Sequence, residues 1–271
     1  SQMQFSNDNT NWSTPEAYVT IKTWTLSGGN GTKTVYVKYK DYAGNWSNAY
    51  SSAIILDTLS PDTTITSQPS NPTNGTSPSF SFTSTETGST FQCQLDGGGY
   101  TTCTSPKSYV GLVEGRHTFS VKAKDAAGNE DATPASYTWR VDITAPTGSL
   151  IINAGDAYTN TTVVVLALNA TDTNGVSQMQ LSNDNTTWST PEVYATSRTW
   201  TLSIGDGNKT LYVKYKDGAD NWSIAYSDTI VLDTAPPAGT IVINSGATYT
   251  NNNSVTLTLG CSDSTSGCSQ M

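Results

Sequence analysis

From Lys209 to Lys216 the chain alternates apolar and polar positions, so that Leu211, Val213 and Tyr215 fall on one side of an extended strand and Tyr212, Lys214 and Lys216 on the other. The same pattern returns at Val35, Val37 and Tyr39, and again at Phe119, Val121 and Ala123. The outward positions drift, with Tyr36 and Tyr212 matched by Ser120, so one face only is predicted to be core. A second strand type reads Val164, Leu166 and Leu168. It is matched by Val255, Leu257 and Leu259, with Phe80 and Phe82 serving in a middle copy.

These strands belong to long repeats. The segment SQMQFSNDNTNWSTPEAY from Ser1 returns as SQMQLSNDNTTWSTPEVY from Ser177, and KTVYVKYKDYAGNWS from Lys33 returns as KTLYVKYKDGADNWS from Lys209, both at an offset of 176 residues. A divergent copy ending HTFSVKAKDAAGNED lies between them, so the offset spans two units. Each unit closes on an LDT or VDI tripeptide and a proline: Asp57 with Pro61, Asp142 with Pro146, Asp233 with Pro236. The prolines stand 85 and 90 residues apart, the size of a seven-stranded β-sandwich.

The expected organisation is therefore a partial domain at 1–60 holding later strands, complete domains at 61–145 and 146–236, and a partial domain at 237–271 holding first strands. Short Pro-bearing linkers favour extended backbone and predict a semi-rigid rod. Residues 269–271 repeat the opening Ser1-Gln2-Met3. Two expectations follow: the segment is a window of a longer array, or the half-domains of different molecules complete one another.

Composition supports strands over helices. Of 271 residues 35% are hydrophobic and 13% charged, with polar, turn-forming residues abundant. A net charge of −9 with scattered basic residues leaves no surface for a phosphate backbone, so nucleic acid is not an expected partner. The longest apolar run, Val163 to Leu168, is too short to cross a bilayer, and a basic leader is not present at the start, so any signal or anchor is expected outside this segment. Four cysteines in two close pairs suit disulfides in an oxidising compartment. Aligning copies places Cys93 and Cys103 where Met179 and Trp188, or Met3 and Trp12, are expected to touch across a hairpin, so a covalent bond would replace a sulfur–aromatic contact. Cys261 and Cys268 are expected to close the loop after the second strand of the last domain. Zinc is disfavoured, because there is no CxxC and only one histidine.

On these residues the chain resembles tandem bacterial immunoglobulin-like domains of large surface and secreted proteins. The resemblance is carried by TFQCQLDGGGYTTCTSPKSYVGLVEGRHTFSVKAKDAAGNEDATPASYTWRVD from Thr90 to Asp142, by VKYKDYAGNWS and VKYKDGADNWS, and by the LDTxxP linkers. It implies an all-β chain of immunoglobulin-like β-sandwiches in a linear array. Adhesins, stalks and enzyme spacers all use such domains, so it implies no single activity.

Candidate chemistry is sparse. His117, the lone histidine, reads as a rim residue, and no catalytic residues are assigned. The turns from Asp41 to Asn45, Asp125 to Asn129 and Asp217 to Asn221 are explained by local Asp and Asn bonding. Calcium is the alternative reading there, and linker acids Asp57, Asp142 and Asp233 with loop acids Asp172 and Asp263 could rigidify domain junctions by binding it. Trp46 and Trp222 follow the turns, but Glu130 replaces them in the middle copy, so they are candidates for a ligand or domain contact or for covering their own hairpin. Asn-x-Ser/Thr triplets at Asn11, Asn30, Asn45, Asn74, Asn160 and Asn221 would accept glycans in a suitable host.

The expected function is a non-enzymatic extracellular, cell-surface stalk or filament, with head-to-tail assembly through its half-domains as a variant of that reading. The alternatives are an adhesin for glycan or protein and a spacer of a secreted enzyme. Expected partners are neighbouring domains, copies of the chain, or a glycan or host-surface ligand.

Overall fold

The computed structural model describes residues 1–268, and the repeated tripeptide at 269–271 lies outside the described residues. The chain is all-β among those residues. Its only helical elements there are single 3-10 turns at Asn153–Gly155 and Asn244–Gly246. It forms two compact units, one made of Ser1–Pro69, Pro78–Tyr109 and His117–Thr138, the other of Ser70–Ser77, Val110–Arg116 and the chain from Trp139 onward.

In the first unit, β1 (Gln2–Ser6), β2 (Glu16–Ala17), β3 (Gly31–Lys40) and β4 (Tyr50–Leu56) form an antiparallel sheet of order β2-β1-β3-β4. Its register sets Met3 opposite Tyr39 and Phe5 opposite Val37. The inward row is partly open to solvent, with Tyr39 39% and Ile54 61% exposed.

The chain continues as β5 (Thr63–Ser67), β6 (Ser79–Ser84), β7 (Thr90–Leu95), β8 (Thr101–Cys103), β9 (Lys107–Ser108), β10 (Gly115–Lys124) and β11 (Ala135–Val141). They make two antiparallel sheets, β5-β6-β9 and β11-β10-β7-β8. Aromatic rings fill the space where the alternation predicts core: Phe80 stacks on Phe119 at 4.2 Å and Phe82 meets Phe91 edge-on at 4.9 Å. Cys93 and Cys103 form a disulfide with Cα atoms 5.8 Å apart.

The register corrects the expected alignment around that disulfide. Cys93 faces Val121 just as Leu181 faces Val213, so it takes the place of Leu181 and not of Met179. Tyr100 then takes the place of Trp188, and each of the two lies beside the matching lysine, Lys122 or Lys214. Met3 and Met179 are buried inward, whereas Trp12 and Trp188 lie under Lys38 and Lys214 on the outward face, so methionine and tryptophan do not meet. The hairpins themselves match in length, with Cys93 paired to Thr101 and Leu181 to Ser189, and the middle copy is shorter only afterwards, with 20 residues from Thr101 to Val121 against 24 from Ser189 to Val213.

In the second unit the strands are β12 (Thr147–Ile152), β13 (Tyr158–Thr159), β14 (Val163–Thr171), β15 (Val176–Ser182), β16 (Glu192–Val193), β17 (Ser197–Thr201), β18 (Gly207–Asp217) and β19 (Tyr226–Leu232). One sheet is β12-β14-β17 and the other β13-β19-β18-β15-β16, with β13 joining β19 in parallel. The two-residue strands β13 and β16 take the sandwich past the seven expected from repeat length. Leu150, Ile152, Val164, Leu166 and Leu168 of one sheet pack in a single cluster with Met179, Leu181, Leu211, Val213, Tyr215 and Ile230 of the other. Each such side chain contributes about 1.5–3 kcal/mol on full burial.

Tyr215 locks the two sheets together. Its hydroxyl donates to the Ser149 carbonyl at 2.7 Å, and its ring occupies the space that a side chain at position 148 would need. The last pair, β20 (Ala238–Ile243) and β21 (Leu257–Ser262), repeats β12 and β14, but Leu257 is 48% exposed where Leu166 is fully buried. Cys261 and Cys268 are joined, with Cα atoms 6.2 Å apart.

A Cβ added at Gly148 would sit 2.5 Å from the Asn169 carbonyl oxygen and from the Tyr215 ring. Gly148→Ala is therefore expected to cost roughly 1–3 kcal/mol through overpacking. Urea unfolding monitored by tryptophan fluorescence measures it, and an unchanged midpoint would show that the Tyr215 ring gives way freely.

Candidate functional site

The DxxGN turns sit between the last two long strands of each copy, and one carboxylate organises each. Asp41 accepts bonds from the backbone (2.8 Å) and side-chain (3.0 Å) amides of Asn45. Asp125 accepts from the backbone of Gly128 (2.7 Å) and Asn129 (2.8 Å), and from the Asn129 side chain (2.8 Å). Asp217 accepts from the backbone of Ala219 (2.7 Å) and Asn221 (2.9 Å), and from the Asn221 side chain (2.7 Å). The fourth turn position is left-handed in all three, Gly44 at φ 93°, Gly128 at 101° and Asp220 at 76°. The third copy accepts a non-glycine there, and the Asp220 carboxylate pairs with Lys216. Donors from Asn45 hold the Asp41 carboxyl below its ordinary value of 3.8.

The same turn aspartates gather further acids. Asp142, Asp172 and Asp217 form one carboxylate triad and Asp57, Glu86 and Asp125 another, with the oxygens of each within 4.8 Å of one another. Asp142 and Asp217 are each only 1% exposed. Asp142 accepts from the Thr144 backbone at 3.1 Å and from the Asn174 side chain. Burial, followed by the charges of Asp142, Asp217 and Glu114, pushes the Asp172 carboxyl above 3.8 despite a bond from the Asn174 amide. Burial and the Asp57 and Asp125 charges likewise push Glu86 above 4.5. Asp263 lies beside Asp233, and backbone donors from Thr265, Ser266 and Gly267 hold it low.

Of the five acids singled out from sequence, Asp142 and Asp172 thus come together, Asp57 joins a separate triad, and Asp233 and Asp263 adjoin at a third place. Glu86 was missed, and Asp125 and Asp217, where calcium was only the alternative to local bonding, were not placed among the ligands. The available signal was a turn aspartate recurring once per copy, which a purely local explanation of the turn had absorbed. Three carboxylates with several lone pairs each suit a hard divalent cation, which takes six to eight oxygens in flexible geometry.

The tryptophans flank a pair of outward lysines. Lys40 lies 5.7 Å from the Trp46 ring centroid, and Lys214 and Lys216 lie 5.2 and 5.9 Å from Trp222. In the middle copy Glu130 takes the tryptophan position and accepts Lys122 at 2.6 Å and Lys124 at 3.4 Å. One lysine pair thus takes a π face in two copies and a carboxylate in the third. Trp46 also lines a recess of about 490 Å³ with Ser1, Tyr18, Tyr39, Lys40 and Asn45. Tyr18 and Tyr39 correspond to Tyr194 and Tyr215, which meet edge-on at 5.7 Å within the complete sandwich, so the recess is open sheet interior. His117 is buried and not at the rim as expected, with Nδ1 2.7 Å from an Asp96 oxygen beside the hairpin turn.

No protein-family model matches the chain, and no curated protein matches it. Among solved structures it is similar to the fibronectin(III)-like modules of CbhA from Clostridium thermocellum, at 15% identity over 63% of this chain and 94% of that one, with a TM-score of 0.41. It is also similar to a 1.5-MDa bacterial ice-binding adhesin, at 16% identity over 85% of both chains and a TM-score of 0.40. A tetra-tandem repeat from the extending region of a large adhesion protein is similar at 18% identity over 90% of this chain and 69% of that one, with a TM-score of 0.28.

The raised Asp172 carboxyl has a definite sign. A folded value above the unfolded one means that the folded state binds the extra proton, so this group's contribution to stability is present at low pH and lost as pH rises past 3.8. Asp172→Asn, which keeps an acceptor for the Asn174 amide, should raise the melting temperature at pH 7 by more than it does at pH 3. Equal shifts at both values would show that the triad carries no such cost.

Proposed function

We propose that this chain is a non-enzymatic repeat segment of an extracellular, cell-surface protein, serving as its stalk or filament shaft. The observation that supports this reading is how the copies vary. Inward rows, turn acids and linkers recur, while outward positions change freely, as at Trp46, Glu130 and Trp222. Selection on architecture leaves that pattern. Among the described residues no helix is long and apolar enough to cross a membrane. An antibody to this chain should label intact source cells and lose its signal when the cells are shaved with external protease. Labelling only after lysis would overturn the reading.

The open rows of the β1–β4 sheet and of the β20–β21 pair match the two inner faces of the β12–β19 sandwich. Head-to-tail completion by a second copy therefore belongs to the same proposal. Light scattering behind size exclusion should show mass rising with concentration, and the rise should vanish when 238–271 is deleted. A constant monomer would exclude completion between molecules while leaving the surface role standing. The adhesin alternative, with glycan bound by Trp46 and Trp222, is less favoured, because both rings already flank lysines of their own sheet.

A second reading rests on the triads: calcium would be held by Asp142, Asp172 and Asp217, and by Asp57, Glu86 and Asp125. The cation would neutralise carboxylates that burial and mutual repulsion disfavour. Calcium at 100-fold over its Kd would stabilise by about 2.7 kcal/mol. Calorimetry with calcium and then with chelator should show that gain, and Asp217→Asn should reduce it. Identical scans with and without calcium would remove calcium from the account.

A further inference from the structure

We infer that the DxxGN turn is a recognition site for the Asp-containing linker of the preceding repeat, read through the side-chain amide of its asparagine. The amide carries two hydrogens and uses them in two directions. Asn221 donates to its own Asp217 at 2.7 Å and to the Asp142 carbonyl at 2.8 Å, with the Thr144 carbonyl at 3.4 Å. Asn129 repeats this, donating to Asp125 at 2.8 Å and to the Asp57 carbonyl at 3.1 Å. Two unlike turns, DAAGN and DGADN, thus bind the same atom of two unlike linkers, LDTLSP and VDITAP.

The linker is shaped to present that carbonyl. In each of three linkers the aspartate carboxylate accepts the amide two residues on, Leu59, Thr144 or Ala235, each at 3.1 Å. The following threonine hydroxyl is tied back to its own repeat, from Thr58 to Asn30 at 2.8 Å, Thr144 to Glu114 at 2.6 Å and Thr234 to Asp206 at 2.9 Å. With one carboxylate oxygen of the aspartate and the threonine hydroxyl engaged by the linker's own repeat, the aspartate carbonyl is the main-chain acceptor held out to the turn. At Asp142, 1% exposed, that carbonyl needs a partner from the protein.

The turn itself forms without a linker against it. Asn45 donates to Asp41 at 3.0 Å, and its turn closes on the same backbone bond, Asp41 N to Asn45 O at 2.9 Å. The backbone bond is shared by the other turns, at 3.0 Å for Asp125 and 3.1 Å for Asp217. The asparagine side chain is thus available as a specificity element on a preformed loop. Aspartate at position 221 would keep the size but remove the donor and set a fourth carboxylate near Asp142, Asp172 and Asp217.

Hydrogen exchange of the full chain, read by mass spectrometry, tests the assignment. Asn221→Ala should speed exchange in the linker at 142–145 by roughly tenfold and leave the linker at 57–60 unchanged. Asn129→Ala should do the reverse, and Asn45→Ala should affect neither. Asn221→Asp, retaining the backbone bond of the turn, should behave as Asn221→Ala and covers the case in which the alanine variant fails to fold. If exchange rises only within each mutated turn while both linkers keep their rates, the asparagines serve their own loops and the inference is wrong.

Discussion

Everything in this molecule follows from one requirement: a sheet with an apolar inward row must be covered by another. The row Leu211, Val213 and Tyr215 is buried only because β12 and β14 lie over it. Gly148 sets how closely the layers approach, since its missing side chain is the volume that the Tyr215 ring fills. Where the covering layer is not among the described residues, the same residue types are partly open to water at β1–β4 and exposed at β20–β21. The contrast comes from the partner layer, not from any difference in strand chemistry.

On the outward side a different economy operates. Lysines project from the central strand of every copy, and any neighbour that offers negative potential satisfies them. Trp188 and Trp222 bracket Lys214 with π faces, whereas Tyr100 and Glu130 flank Lys122 with a ring and a carboxylate. Exchange of an aromatic face for an ion pair preserves the local electrostatics while changing the look of the surface. Recurrence of Trp46 and Trp222 therefore needs no ligand to explain it.

Legibility in the sequence divided along physical lines. Two-residue alternation is a direct record of which side chains face the core, so Val164, Leu166, Leu168, Phe80 and Phe82 were placed correctly from pattern alone. The repeat offset made the linkers visible. The shortening of the middle copy was not visible, because it falls after the hairpin, between Thr101 and Val121, and it left Cys93 set against Met179 in place of Leu181. The acid triads also escaped, since Asp142 and Asp172 lie thirty residues apart and Asp217 another forty-five, and nothing local announces their meeting. The turn aspartates looked self-sufficient because their local bonds are real, and a satisfied motif hides its second use.

Each repeat carries both halves of the coupling, a linker carbonyl at its end and a turn amide within its body. Any copy can therefore follow any other. An array of this kind lengthens or shortens by recombination between near-identical segments, such as those starting at Ser1 and Ser177, without creating a mismatched junction. The bond that joins neighbours is made with a main-chain atom that every residue possesses, which leaves the rest of each linker free to diverge while the lineage changes its length.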